Sequence, residues 1–318
     1  MEKFPAIAIL GATGTGKSAL AMRLAQYLPV EIISVDSAQV YRGLDIGTAK
    51  PTAEERAAVP HHLIDIREPE QIYSAGEFRD DCRAAVRDIT ARGRVPVLVG
   101  GTMLYFRALF RGIADLPLAD PSLRAHLDAR AAREGWPALH GELAARDPEG
   151  AARIHPHDAQ RIQRALEVLA TTGRTLGEHW TGENSPSEPV DWRIGILDPG
   201  SREQLHARLA QRLDAMIDAG FVEEVRLLLD RGTLDGNSPV LRLVGYRQLA
   251  EYCRGKLSRE EAARRALYAT RQLAKRQMTW LRSPGLTPTT ANIMRSNAFS
   301  GPDTEQLLRT LIKNKQSP

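Results

Sequence analysis

Cysteine is scarce in this 318-residue chain: Cys82 and Cys253 stand far apart, outside any CxxC or Cys/His cluster. That excludes a disulfide framework and gives no zinc site, so a reducing cytoplasm is the expected compartment. Long apolar runs are missing too. No stretch approaches the ~20 residues of a membrane span, and the four apolar residues ahead of the first glycine loop are too few for a signal peptide. His61-His62 and His155-Pro156-His157 lack a third spaced ligand, which argues against a metal centre there. A net charge of +4 is too small to imply nucleic acid by itself. With 42% hydrophobic and 26% charged residues, what remains is an ordinary globular chain, long enough for one large α/β core with a smaller appended unit.

The charge is unevenly spread. Between Leu241 and Arg282 eleven Lys and Arg face three Glu, a local excess of +8, the footprint of a polyanion-binding surface. On a wheel of about 100° per residue, Arg264, Arg271, Lys275 and Arg282 fall on one face of a helix spanning 258–282, beside an apolar stripe of Leu267, Ala274, Met278 and Leu281. No Glu stands at the i+4 positions of this cationic rail, so phosphate is the expected partner. Arg161 and Arg164 form a weaker pair on a second helix.

The strongest signal is Gly11-Ala12-Thr13-Gly14-Thr15-Gly16-Lys17-Ser18, which follows the apolar run Ile7–Leu10 and precedes a helical pattern from Ala19. Its four fixed positions would arise by chance in such a chain with a probability on the order of one per cent. Strand, glycine loop and helix N-terminus aim backbone N–H groups at one anion, a phosphate or diphosphate, with Ser18 as the usual Mg²⁺ neighbour.

Further strands are read at 30–35, ending at Asp36, at 62–65, at 95–99, opening onto Thr102, and at 193–197. Helices are read at 75–91, 103–110, 159–171, 201–219, 221–231, 247–252 and 258–282. Alternating strands and helices predict a P-loop NTPase-like, mostly parallel sheet, with the P-loop, Asp36 and Thr102 converging at the carboxyl ends of its strands. The predicted organisation is a core over 1–115, a small all-helical insertion over 116–190 closing in the turn-rich segment 181–189, core completion with basic helices over 191–285, and a weakly patterned tail over 286–318. Asp36 is read as a Mg²⁺ helper or proton acceptor, or else as a local cap. No strand ends in the Asp of a Walker-B segment, because Val95–Val99 runs into two glycines. Transfer of a γ-phosphate is correspondingly less well supported, although the loop alone favours a small-molecule or nucleoside kinase. A non-catalytic RNA-binding protein that holds nucleotide is a second alternative.

Seven segments together resemble the tRNA dimethylallyltransferases, also called tRNA isopentenyltransferases. They are the P-loop, Ile33-Ser34-Val35-Asp36-Ser37-Ala38-Gln39-Val40-Tyr41, Asp45-Ile46-Gly47-Thr48-Ala49-Lys50-Pro51, Val99-Gly100-Gly101-Thr102, Arg161 to Glu167, Val244-Gly245-Tyr246-Arg247 and Arg271-Gln272-Leu273-Ala274-Lys275-Arg276-Gln277. They run in the family's order from residue 7 to about residue 282. The resemblance implies transfer of a prenyl group from dimethylallyl diphosphate, with Mg²⁺, to the exocyclic amine of the adenosine 3′ to a tRNA anticodon. It implies Gly11 to Ser18 on the diphosphate (an ATP-binding type of loop), Asp36 as base, and Thr13, Lys17 and Thr102 as further catalytic residues. Implied contacts to the anticodon stem-loop are Asp36, Ser37, Ala38, Gln39, Thr102, Arg124, Gln160, Arg161, Ile162, Gln163, Arg164, Leu241, Arg242, Leu243, Val244, Gly245, Tyr246, Leu273, Ala274, Lys275, Arg276, Gln277, Met278, Thr279 and Trp280. Ala12 replaces a frequent Pro, Gln39 is atypical of its segment, and the lack of a zinc-finger extension matches the bacterial-type form. A cytoplasmic monomer without membrane contact is expected, working by base flipping.

Overall fold

A computed structural model describes residues 6–113, 116–117, 119–180, 191–234, 238–288 and 291–313. The chain divides into two compact units, one formed by Met1–Arg111 with Glu188–Pro318 and the other by Gly112–Ser187. In chain order the elements are β1 (Ala6–Gly11), α1 (Lys17–Leu24), β2 (Val30–Val35), α2 (Ala53–Ala58), β3 (His61–His62), α3 (Ala75–Ala91), β4 (Val95–Gly100), α4 (Met103–Arg111), α5 (Pro121–Glu134), α6 (Trp136–Arg146), α7 (Pro148–Ala152), α8 (Ala159–Thr172), α9 (Leu176–Trp180), β5 (Trp192–Asp198), α10 (Arg202–Asp218), α11 (Phe221–Asp230), α12 (Tyr246–Cys253), α13 (Arg259–Leu281), β6 (Asn292–Asn297) and α14 (Gly301–Ile312).

In the first unit the described strands form one all-parallel sheet in the order β3-β2-β4-β1-β5-β6. Every residue of β1, β2 and β4 is buried, as required of strands covered by helices on both faces. Alternate residues serve alternate cores. Ile7 and Ile9 join Leu20, Leu24, Leu308 and Leu311 on one side, while Ala8 and Leu10 join Phe78, Phe106 and Val225 on the other. The order places β1 beside β4 and β5, so the loops after β1, β2 and β4 open at one end of the sheet.

Two sequence expectations are corrected in this unit. The strand read at 62–65 is only His61–His62, because Leu63 and Asp65 take positive φ and Asp65 turns its carboxylate to Lys50 and Arg56. The stretch 286–318, read as a weakly patterned tail, carries regular structure. It supplies β6, which pairs in register with β5, and α14, whose Leu307, Leu308 and Leu311 are buried. The alternation that marks a strand was masked by the polar run Asn292-Ile293-Met294-Arg295-Ser296-Asn297, acceptable at a sheet edge where one side meets water.

The second unit holds α5 to α9 around Leu127, Leu139, Leu143, Ile162, Ala165, Leu166 and Leu169. Asp158 caps α8 by accepting from the Arg161 N–H, and Gly173 closes it in the left-handed conformation. The turn-rich segment 181–189 lies outside the described residues.

Candidate active site at the strand ends

The glycine loop connects β1 to α1. Gly14 and Gly16 have φ of 83° and 85°, a conformation L-residues with a side chain seldom adopt, and the N–H groups of Gly14, Gly16, Lys17 and Ser18 make no hydrogen bond among the described residues. The loop braces itself through its own carbonyl: Thr15 Oγ1 and Lys17 Nζ each donate to the Ala12 oxygen at 2.8 Å. Ala12 is buried with Leu205, Leu209 and Ala274, so α10 and α13 form the floor of the loop.

A second cation comes from α10. Arg212, which the sequence reading did not single out, has no hydrogen bond or ion pair among the described residues, and its charge acts on both Lys17 and Asp36. Burial, then Arg212, draws the Lys17 ammonium down to about 8, against the opposing pull of Asp36. Burial likewise lowers Arg212, again opposed by Asp36. Two partly desolvated cations at a loop that leaves four N–H groups unbonded among the described residues can make a cradle for a compact polyanion. Only an i, i+3, i+4 reading of α10 from Leu205 and Leu209 to Arg212 could have revealed this residue.

Asp36 follows the last residue of β2. Its Oδ1 accepts from the Ala38 N–H at 2.8 Å, which fixes the carboxylate by the local cap the sequence allowed. Its Oδ2 has no hydrogen-bond donor among the described residues. Thr102, after β4, accepts the Ser37 N–H at 3.1 Å through Oγ1, while its own N–H reaches the Val35 oxygen at 3.2 Å. The ends of β2 and β4 are therefore held as one piece. Gln39 is locked rather than presented, taking the Ser34 hydroxyl at 2.8 Å and donating to the Thr48 and Ala49 carbonyls.

From α13, Gln277 reaches the cradle. Its Oε1 accepts the Thr13 N–H and its Nε2 donates to the Gly101 oxygen, both at 2.9 Å. The basic helix is thus bonded to the P-loop and to the end of β4. Along α13, Lys275 and Arg282 are exposed and Arg271 is partly buried; none has an ion pair among the described residues, and Arg271 Nε is buried without a hydrogen bond. Arg264 departs from the unpaired rail, because Glu261, three residues earlier, binds both it and Arg265.

The remaining implied RNA contacts divide by exposure. Gln160, Arg161, Arg242, Lys275, Arg276 and Thr279 are exposed; Leu243, Val244, Leu273, Met278 and Trp280 are half-buried. Ile162, Leu241, Gly245, Tyr246 and Ala274 are buried. Arg124 and Arg164 both bind Glu167, whose side chain is fully enclosed, and Gln163 donates to Asp128 at 2.7 Å.

Ser18 is exposed on the first turn of α1, and its hydroxyl makes no hydrogen bond among the described residues. Those residues contain no group of three or more His, Cys, Asp or Glu placed to hold a metal ion. One free hydroxyl beside a phosphate cradle fits Mg²⁺, which is commonly held by phosphate oxygens and water with few protein ligands.

Comparison with known proteins agrees with this arrangement. The family model described as IPP transferase matches residues 39–284. A tRNA dimethylallyltransferase of Methylococcus capsulatus is 56% identical over 278 residues, 87% of this chain and 89% of the relative. One from Bordetella avium is 56% identical over 285 residues, 89% of this chain and 91% of the relative. Among solved structures, the full-length tRNA isopentenylpyrophosphate transferase of Bacillus halodurans is 34% identical with a TM-score of 0.67, covering 98% of this chain and 95% of that one. A eukaryotic dimethylallyltransferase captured acting on tRNA is 29% identical with a TM-score of 0.79, covering 99% of this chain and 82% of that one.

Proposed function

We propose, for a chain that belongs to the IPP transferase family of tRNA dimethylallyltransferases, that it moves a dimethylallyl group from dimethylallyl diphosphate to the exocyclic amine of the adenosine next to a tRNA anticodon. The observation that carries this reading is the pair of hydrogen bonds made by the Gln277 side chain, which joins the cationic helix to an anion cradle at Gly101, just past the end of β4. A phosphoryl-transfer enzyme needs a carboxylate to organise its metal at such a strand end; here glycine and an RNA-facing helix occupy it.

The cradle N–H groups, Lys17 and Arg212 bind the diphosphate and stabilise the charge that builds on the bridging oxygen as the carbon–oxygen bond of the donor breaks. Asp36 orients the purine amine and accepts its proton as the new carbon–nitrogen bond forms. Thr102 holds the Asp36 turn in place through the Ser37 N–H. Ser18 would hold Mg²⁺ at the cradle, where the ion would supply further neutralisation of the leaving group. Arg271, Lys275, Arg276 and Arg282 contact the RNA backbone, whose affinity comes largely from phosphate neutralisation. The target base leaves its stack to reach Asp36.

The test is incubation with labelled dimethylallyl diphosphate and unmodified tRNA, followed by nucleoside analysis. Label on the adenosine 3′ to the anticodon supports the reading. Absence of label, with both substrates bound, overturns it.

A further inference from the structure

Outside the cradle, one side chain collects more hydrogen bonds than any catalytic candidate. Glu224, on α11, accepts the consecutive N–H groups of Asp45 and Ile46 at 2.8 and 2.7 Å through Oε2, and that of Gly47 at 3.1 Å through Oε1. The same Oε1 takes the Tyr246 hydroxyl at 2.6 Å. Three successive amides turned toward one carboxylate form an anion nest filled from within the molecule.

The two segments so joined are the stretch that follows Asp36 and the stretch that ends in Tyr246, and Leu241 and Tyr246 share one core with Val40, Tyr41 and Leu44. The stretch 39–50 leaves Asp36 and is itself cross-linked: Gln39 bonds to the Thr48 and Ala49 carbonyls, and buried Lys50 donates to the Tyr41 oxygen, Asp45 and Asp65 at 2.8, 2.6 and 2.6 Å. The other segment, Leu241–Tyr246, carries the exposed Arg242 and turns at Gly245, where φ is 88° and the Gln248 side chain holds the N–H at 2.9 Å. Contact between the segments is close. A Cβ at Gly47 would lie 2.1 Å from Phe221 and 2.7 Å from Tyr246, and the Phe221 and Tyr246 rings meet edge to face at 4.9 Å. Burial and the neighbouring Glu224 raise the Tyr246 phenol well above its usual range, which keeps it a donor to that carboxylate.

We infer that Glu224 is a positioning residue for the RNA substrate: it sets the segment after Asp36 and the segment Leu241–Tyr246 in one fixed relation, so that a swung-out adenosine meets Asp36 with its neighbouring nucleotide already seated. This rests on the reading of the site as an RNA prenyltransferase. Among the described residues Glu224 makes no hydrogen bond or ion pair with the cradle, Lys17 or Arg212, so its effect falls on the RNA and not on the diphosphate. An amide at this position turns an NH₂ toward groups that are themselves donors, so Gln cannot replace it.

The experiment compares wild type, Glu224→Gln, Tyr246→Phe and the double variant by steady-state kinetics with each substrate varied, alongside thermal unfolding and amide exchange. Expected for Glu224→Gln is a rise of about tenfold or more in KM for tRNA, with KM for dimethylallyl diphosphate within about twofold and faster exchange at Asp45–Gly47 and 241–246 together. Tyr246→Phe gives a smaller rise, and the double variant is less than additive with Glu224→Gln. An unchanged KM for tRNA in Glu224→Gln overturns the inference, as does a loss of kcat that merely tracks the unfolded fraction while both KM values stay put. Wild type that transfers no prenyl group is the separate failure of the underlying reading; exchange that stays slow in both segments of Glu224→Gln then refutes the positioning role independently.

Discussion

Lys17 gives the sharpest prediction, because its chemistry is set by opposing neighbours. Burial and the Arg212 charge pull its ammonium down from 10.5 to about 8, while Asp36 pushes the other way. Only the charged form holds the diphosphate. With a pKa of about 8 in the free enzyme, about nine-tenths of Lys17 is charged at pH 7 and about one-tenth at pH 9, so donor affinity should weaken about tenfold over that interval. The ligand contributes little to the trend, since the last phosphate proton leaves near pH 6. The assay is calorimetric titration of a non-reactive thio analogue of dimethylallyl diphosphate at fixed Mg²⁺ from pH 7 to 9.5. Variants move the break in defined directions. Asp36→Asn removes the charge that favours the ammonium and brings the break below 8. Arg212→Met relieves repulsion and moves it up, although affinity at pH 7 falls because one cation is lost. In Lys17→Met the break disappears. A break at the same pH in Lys17→Met, or a flat profile in wild type, would refute the reasoning.

Other outcomes follow from the same geometry. Asp36→Ala should abolish prenyl transfer while tRNA affinity, measured by filter binding, stays within about threefold; full turnover would remove Asp36 as base. Arg271→Ala with Lys275→Ala should weaken tRNA binding and lower the slope of log affinity against log salt by up to about two, and an unaltered slope would reduce the rail to ordinary surface. Gly100→Ala places a Cβ 2.0 Å from the Val35 carbonyl oxygen, which should cost about 2 to 3 kcal/mol and cut turnover further by parting Asp36 from Thr102; a fully active, equally stable variant contradicts the described register. Glu167→Gln should destabilise the helical unit by about 3 kcal/mol, because the carboxylate shared by Arg124 and Arg164 is enclosed. Burial alone would raise the Glu167 pKa, yet the bonds from Arg124 and Arg164 hold it below 4.5. As pH falls through 4.5 the unfolded chain takes up the proton first, so this stabilisation is complete above 4.5 and is lost below it, as urea unfolding across pH 3 to 6 should record.

Much of the site was legible in the sequence because its signals are local. A glycine loop between an apolar run and a helical pattern has one geometry, and Asp36 and Thr102 announce themselves as the first polar residues after buried strands. The helix over 258–282 was legible because its apolar stripe and its cations share one period. Arg212 was not, since nothing in Gln211-Arg212-Leu213 distinguishes a cradle cation from a solvated one until α10 is packed on Ala12. Glu224 was equally silent. A carboxylate in the first turn of a helix normally serves the helix dipole, and three of its four partners lie nearly 180 positions away. Glu167 was silent in the same way: that its enclosed carboxylate joins Arg124 of α5 to Arg164 of α8 emerges only when the two helices are packed. The edge strand β6 escaped because its solvent side carries asparagine and arginine in place of alternating apolar residues.

The most direct measurement is the stoichiometry of the reaction itself. With wild-type protein, unmodified tRNA, dimethylallyl diphosphate and ATP present together, one inorganic diphosphate should be released for each prenylated adenosine while ATP stays intact. Consumption of ATP without prenylated nucleoside would contradict the account.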